Sequence, residues 1–165
     1  MVPKMATRQL ALPNSVVGPV ELGRLLRELE TLDNAVMQLR LRTPDTLKLP
    51  DVSRLLDQTI TLNKLNLLTP ADFKELQQFL VHAKAQAPVM HISFGADPSP
   101  LFTQKLVLWL RQEIHPMVLL TIGLQPSIGA GCMVRTTNKY FDFSLRERFI
   151  KNRQLLITQL QEITR

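Results

Sequence analysis

The hydrophobic period of this chain changes once, near Pro88, and that change limits what it can fold into. Before it, apolar residues recur every three or four positions. Leu22, Leu25, Leu26, Leu29, Leu32, Val36 and Leu39 form one stripe, as on a helix buried along one side. After it, apolar residues come in short runs bounded by Pro, Gly and Asn, as strands do. For 165 residues this switch predicts an α+β chain of one ordinary domain or two small ones. Residues 19–87 are expected to form a small helical bundle. Residues 88–165 are expected to form a small mixed sheet covered by helices, in the order β-α-β-β-β-α. The stretch from Met1 to Val20 is poor in acids and broken by Pro13, Asn14, Ser15 and Pro19, and residues 1–18 are expected to be a flexible tail.

Within the first region, Pro19 suits a first helical turn, and Thr43-Pro44-Asp45 is expected to end that helix. A second helix is expected from Asp51 to about Lys64, with Val52, Leu55, Leu56, Thr59, Ile60 and Leu62 inward. Thr69-Pro70-Ala71-Asp72 opens a third, with Thr69 as cap and Phe73, Leu76, Leu80 and Ala83 on its apolar side.

The second region opens with a strand over Val89–Gly95, in which His91 should face away from Met90 and Ile92. A helix starting at Ser99-Pro100 would pack through Leu101, Leu106, Trp109 and Leu110. Strands are expected over Pro116–Thr121, Cys132–Thr136 and Lys139–Phe143. The last two should be joined by a hairpin turn in which Asn138 can take positive φ. Ser144-Leu145-Arg146-Glu147 reads as a capping box, opening a final helix striped by Leu145, Phe149, Leu156, Leu160 and Ile163.

Little here points to catalysis. A single cysteine, Cys132, excludes a disulfide framework within the chain and any multi-cysteine metal site. His82, His91 and His115 have no ligand spacing between them. Gly129-Ala130-Gly131 lacks both the third small residue of a dinucleotide fingerprint and the Lys of a phosphate loop. These glycines are expected to turn the chain sharply into a strand. No apolar run has the length of a membrane span. The chain carries 20 Lys and Arg against 14 Asp and Glu, net +6, but aromatics are only 5%. No basic segment interleaves them, so nucleic-acid binding is not expected. No catalytic, cofactor or metal site is expected, and the chain is not read as an enzyme. A small enzyme using Cys132 or a histidine would need a clustered site that the sequence does not display.

The segment from Pro126 to Ser144 is more specific. Pro126, Gly129, Gly131, Val134, Arg135, Asp142 and Ser144, in this order and spacing, resemble the C-terminal signature of the delta subunit of F-type ATP synthases, known in mitochondria as OSCP. The resemblance covers roughly residues 88–165, with Ala130-Gly131 where the family has a Gly pair. The N-terminal helical region is shorter than the family's six-helix bundle. The related V-type E subunit begins with one long helix, for which Pro44, Pro50, Pro70 and Pro88 interrupt this chain too often.

The resemblance implies a non-catalytic peripheral-stalk subunit joining the catalytic head to the stator. Its partners would be the C-terminal region of the b subunit and N-terminal segments of the alpha subunits. It would sit peripherally on the cytoplasmic side of an energy-transducing membrane, a bacterial inner membrane rather than an organelle, without inserting. Between Arg135 and Arg153 lie six basic residues and two acidic ones. Arg135, Lys139, Arg146, Arg148 and Arg153 are therefore the candidate partner-binding residues. The alternative is an adaptor or stator-like regulator of another ATPase assembly, such as a secretion ATPase.

Overall fold

The computed structural model describes residues 9–42 and 51–163, with the side chains of residues 39–42, 147, 156 and 163 outside that description. The chain is α+β. Its described elements are helices α1 (Pro19–Arg42), α2 (Arg54–Asn63) and α3 (Pro70–Gln86), strand β1 (Val89–Phe94), helix α4 (Pro100–Glu113), strands β2 (Leu119–Leu124), β3 (Cys132–Arg135) and β4 (Tyr140–Asp142), and helices α5 (Leu145–Lys151) and α6 (Arg153–Ile163). Two compact units divide it: Met1–Pro88 with Gln104–Leu119, and Val89–Thr103 with Leu120–Arg165.

The helical unit is built on leucine. Leu22, Leu25, Leu26, Leu29, Leu32 and Val36 of α1 are buried, as are Phe73, Leu76, Leu80 and Ala83 of α3, so both expected stripes face the core. The expected end of α1 at Thr43-Pro44-Asp45 and the side chain of Leu39 lie outside the described residues. The second helix starts later than Asp51 because Ser53 is its cap: the Ser53 hydroxyl accepts the Leu56 amide and donates to Glu28. Leu56 and Thr59 are buried, but Leu62 is exposed. Left-handed Lys64 (φ 51°) closes α2, its amide bonded to the carbonyls of Ile60 and Thr61. Thr69 stands at the start of α3 without a side-chain cap bond, and Asp72 instead accepts the Asn66 amide.

Residues 9–18, expected to be tail, are pinned. Leu12 and Val16 are buried. Arg111 donates to the carbonyls of Leu12 (3.0 Å), Pro13 (2.9 Å) and Val16 (2.6 Å), and at longer range to that of Val118. Asn63 both accepts from the Ala11 amide and donates to its carbonyl. Burial lowers the Arg111 guanidinium to about 10, still far above neutrality, so a desolvated cation is held by neutral carbonyls.

The sheet has the order β2-β1-β3-β4. Bonds from the Leu119 amide to Pro88 and from the Gln125 amide to Phe94 advance in step, so β2 runs parallel to β1, as a strand–helix–strand crossover requires. The pairs β1–β3 and β3–β4 are antiparallel. β2 begins three residues after Pro116. Proline has no amide for a ladder, and the Val118 amide closes a turn on His115. α4 buries Thr103, Val107 and Leu110, leaving Leu101 and Trp109 exposed. Thr103 tolerates burial because its hydroxyl bonds the Ser99 carbonyl.

The expected final helix is two. At Asn152 (φ −102°, ψ 13°) the ladder stops, its amide bonding the carbonyls of Arg148 and Ile150, and Asn is a weak helix former. Nor do these helices bury their apolar residues: Leu145, Phe149, Ile150, Leu155, Ile157 and Leu160 are exposed. Leu156 and Ile163 lie outside the described side chains.

Candidate partner-binding surface

The turn between β2 and β3 and the start of α5 form one built structure. Pro126–Ile128 make a short 3-10 turn, with Ile128 buried. Gly129 (φ 70°, ψ −68°) follows as the centre of a γ-turn closed by the Ala130 amide on the Ile128 carbonyl at 2.8 Å. This positive-φ γ-turn is strained for any side chain, which explains a glycine here. Gly131 (φ 93°) has a second reason: a Cβ would collide with the Phe143 carbonyl oxygen and lie 2.9 Å from the Ser144 Cα. The chain can therefore pass against the β4–α5 junction, where the Leu145 amide bonds the Ala130 carbonyl and the Phe143 amide bonds that of Cys132.

Asp142 and Ser144 complete the junction. The hydroxyl and amide of Ser144 hold the Asp142 carboxyl below the usual carboxylate range, with a weaker pull from Arg146. The amide makes the well-aimed bond, 2.8 Å to Asp142. The hydroxyl acts on the carboxylate only electrostatically, since its oxygen is buried with no hydrogen-bond partner among the described residues. Ser144 does stand at the N-cap of α5, but its side chain makes no cap bond. The capping box is thus not formed from the Ser144 side. Its other half, the Glu147 side chain, lies outside the described residues. The expected turn chemistry at Asn138 differs too. The only described non-glycine residue with positive φ is Lys64, and the hairpin is closed by the Thr136 hydroxyl, which accepts the Lys139 amide at 3.1 Å.

Around this junction lies a groove of about 490 Å³, floored by Ile128, Leu145, Phe149 and Ile150 and flanked by Arg146 and Arg153. The stacked rings of Phe141 and Phe143, 6.0 Å apart, are also exposed. Of the candidate cations, the groove brings together Arg146 and Arg153. Arg135 lines a different hollow, on the sheet, and Lys139 and Arg148 line neither. All five are exposed, and none makes an ion pair among the described residues. Val134 is half-buried in β3 opposite Phe141.

Among the described residues no group of three His, Cys, Asp or Glu could hold a metal. Burial pushes the Cys132 thiol up, away from the thiolate a nucleophile needs. Sequence reasoning missed the Arg111 hub. An arginine late in a helix ordinarily reads as a solvated cation near the helix dipole's negative end, and no local signal marks its carbonyl partners some 95 residues earlier. No helix among the described residues is long and apolar enough to cross a membrane. The chain matches no protein-family model and no curated protein sequence.

Proposed function

We propose that this chain is a non-catalytic peripheral-stalk subunit of a rotary F-type ATP synthase, holding the catalytic head to the b-subunit stalk so that rotor torque is not lost by spinning the head. One observation carries the reading: the groove of Ile128, Leu145, Phe149 and Ile150, lined also by the exposed Arg146 and Arg153. An amphipathic helix fits such a surface, apolar residues on the floor and acidic ones against the arginines. The delta-type signature supports the same reading, because its residues build the turn and junction beside that groove. In the helical unit, a smaller hollow lined by Val36, Met37, Leu67 and Phe73 would receive an N-terminal segment of an alpha subunit. The chain would then work at the cytoplasmic face of an energy-transducing membrane without inserting.

The test is affinity recovery of the tagged full chain from detergent-solubilised membranes, with wild type beside the Arg146→Glu, Arg153→Glu double variant. Wild type should bring down alpha and b subunits. The variant should lose b, with the loss growing as ionic strength falls, since the reversed charges then repel an acidic helix over a longer range. Recovery without any synthase subunit, or with components of a secretion ATPase instead, overturns the reading.

A further inference from the structure

The sheet carries a second surface, separate from the groove. Strand register places His91 directly opposite Arg135, Ser93 opposite Met133, and Tyr140 beside Arg135 on the next strand. These residues alternate with buried Met90 and Ile92, so they share the outward face. Together with Thr137 at the hairpin turn they line a hollow of about 720 Å³. Among the described residues no Asp or Glu lines it. The nearest acid in the register, Asp142 opposite Met133, is occupied by the Ser144 amide. Among the described residues the Arg135 guanidinium, the His91 ring and the Ser93 and Thr137 hydroxyls have no hydrogen-bond or ion-pair partner. Arg135 is thus a cation on this face with no carboxylate partner among the described residues.

We infer that this outward sheet face, between His91, Arg135 and Tyr140, binds a carboxylate on an acidic peptide segment of a partner protein. Arginine's planar fork takes a carboxylate in two parallel bonds, with His91 and the hydroxyls donating around it. The hollow is wider than one small oxyanion needs, and Val89, Met133 and the Tyr140 ring give it apolar ground for the stems of Glu side chains. Charge complementarity thus favours an acidic chain over a free ion. The inference does not rest on the stalk reading, because it uses neither the groove nor its arginines.

Amide shifts of the isotope-labelled full chain, titrated with an acetylated tetraglutamate peptide, test it. The largest shifts should fall on residues 91, 93 and 133–137. Arg135→Gln should weaken binding about tenfold and His91→Gln about threefold, while Lys84→Gln in the helical unit stays within about twofold. A dispersed spectrum of each variant checks folding, and either substitution alone suffices to expose the effect. Largest shifts on residues 145–153, or Arg135→Gln within twofold of wild type, overturn the inference. Displacement of the peptide by equimolar inorganic phosphate overturns it in favour of a small-anion site.

Discussion

Among the described residues nineteen apolar side chains of the helical unit are buried, and of the sheet unit only Met90, Ile92, Leu120 and Ile128 are. The sheet unit is not short of apolar residues. Phe141, Phe143, Leu145, Phe149, Ile150, Leu155, Ile157 and Leu160 belong to it and are exposed. One unit spends most of its hydrophobic residues on its own core, and the other displays many of them beside exposed cations. A core that small gives limited stability, so the sheet unit leans on backbone fit at its turns. The difference teaches where folding ends and binding would begin. Apolar area left in water is available to a partner at about 25 cal/mol per Å² once covered, before the costs of association.

This contrast can be broken or sharpened by substitution. The largest effect is expected in the leucine core. Leu29→Ala, at a fully buried site, should cost about 3 kcal/mol in urea unfolding, and a loss under 1 kcal/mol would refute a tightly packed core. Next comes Gly131→Ala, which combines positive φ with a backbone collision. It should destabilise the sheet unit by about 2 kcal/mol or more, read as faster amide exchange across β3 and β4. Arg111→Met leaves the carbonyls of Leu12, Pro13 and Val16 without their donor. It should cost about 2 kcal/mol and open residues 9–18 to protease while α3 stays protected.

Phe149→Ser should do the opposite of Leu29→Ala. At an exposed site it should change stability by less than about 0.5 kcal/mol while weakening recovery of the stalk partner. A large stability loss would make Phe149 core and dissolve the contrast. The smallest effect is a pH dependence at Asp142. Its carboxyl is held down in the fold, so the unfolded chain binds the proton more readily. The contribution is then present above the unfolded value of about 3.9 and fades as pH falls through the lower folded value. The Ser144 amide resonance should move below pH 4 and stay flat from 5 to 7; movement only near neutrality would contradict the assignment.

How far the sequence could be read depended on where the signal lay. The stripes of α1 and α3 needed only spacing, because one face of a long helix must be buried whatever covers it. His91 outward between Met90 and Ile92 followed from strand alternation alone. In α4 that logic failed. Leu110 is buried as expected, but Leu101 and Trp109 are exposed and Thr103 and Val107 are buried with it, since the neighbours fix a helix's rotation and not its own largest residues. The last helix misled similarly. Its apolar residues implied a covered sheet, but periodicity does not say whether a stripe meets its own chain or another.

By itself, then, the sequence determined the switch from helix to strand near Pro88, the glycines and Asp142–Ser144 pair of the turn region, and the basic run from Arg135 to Arg153. These are local properties, set by backbone sterics and by residues within a few positions of one another. Only the tertiary structure decided that Arg111 clasps the chain's first described residues, that Arg146 and Arg153 share a groove while Arg135 faces a separate hollow opposite His91, and which leucines stay in water. Each of those depends on residues far apart in the chain being brought together, and no spacing rule along the chain carries that information.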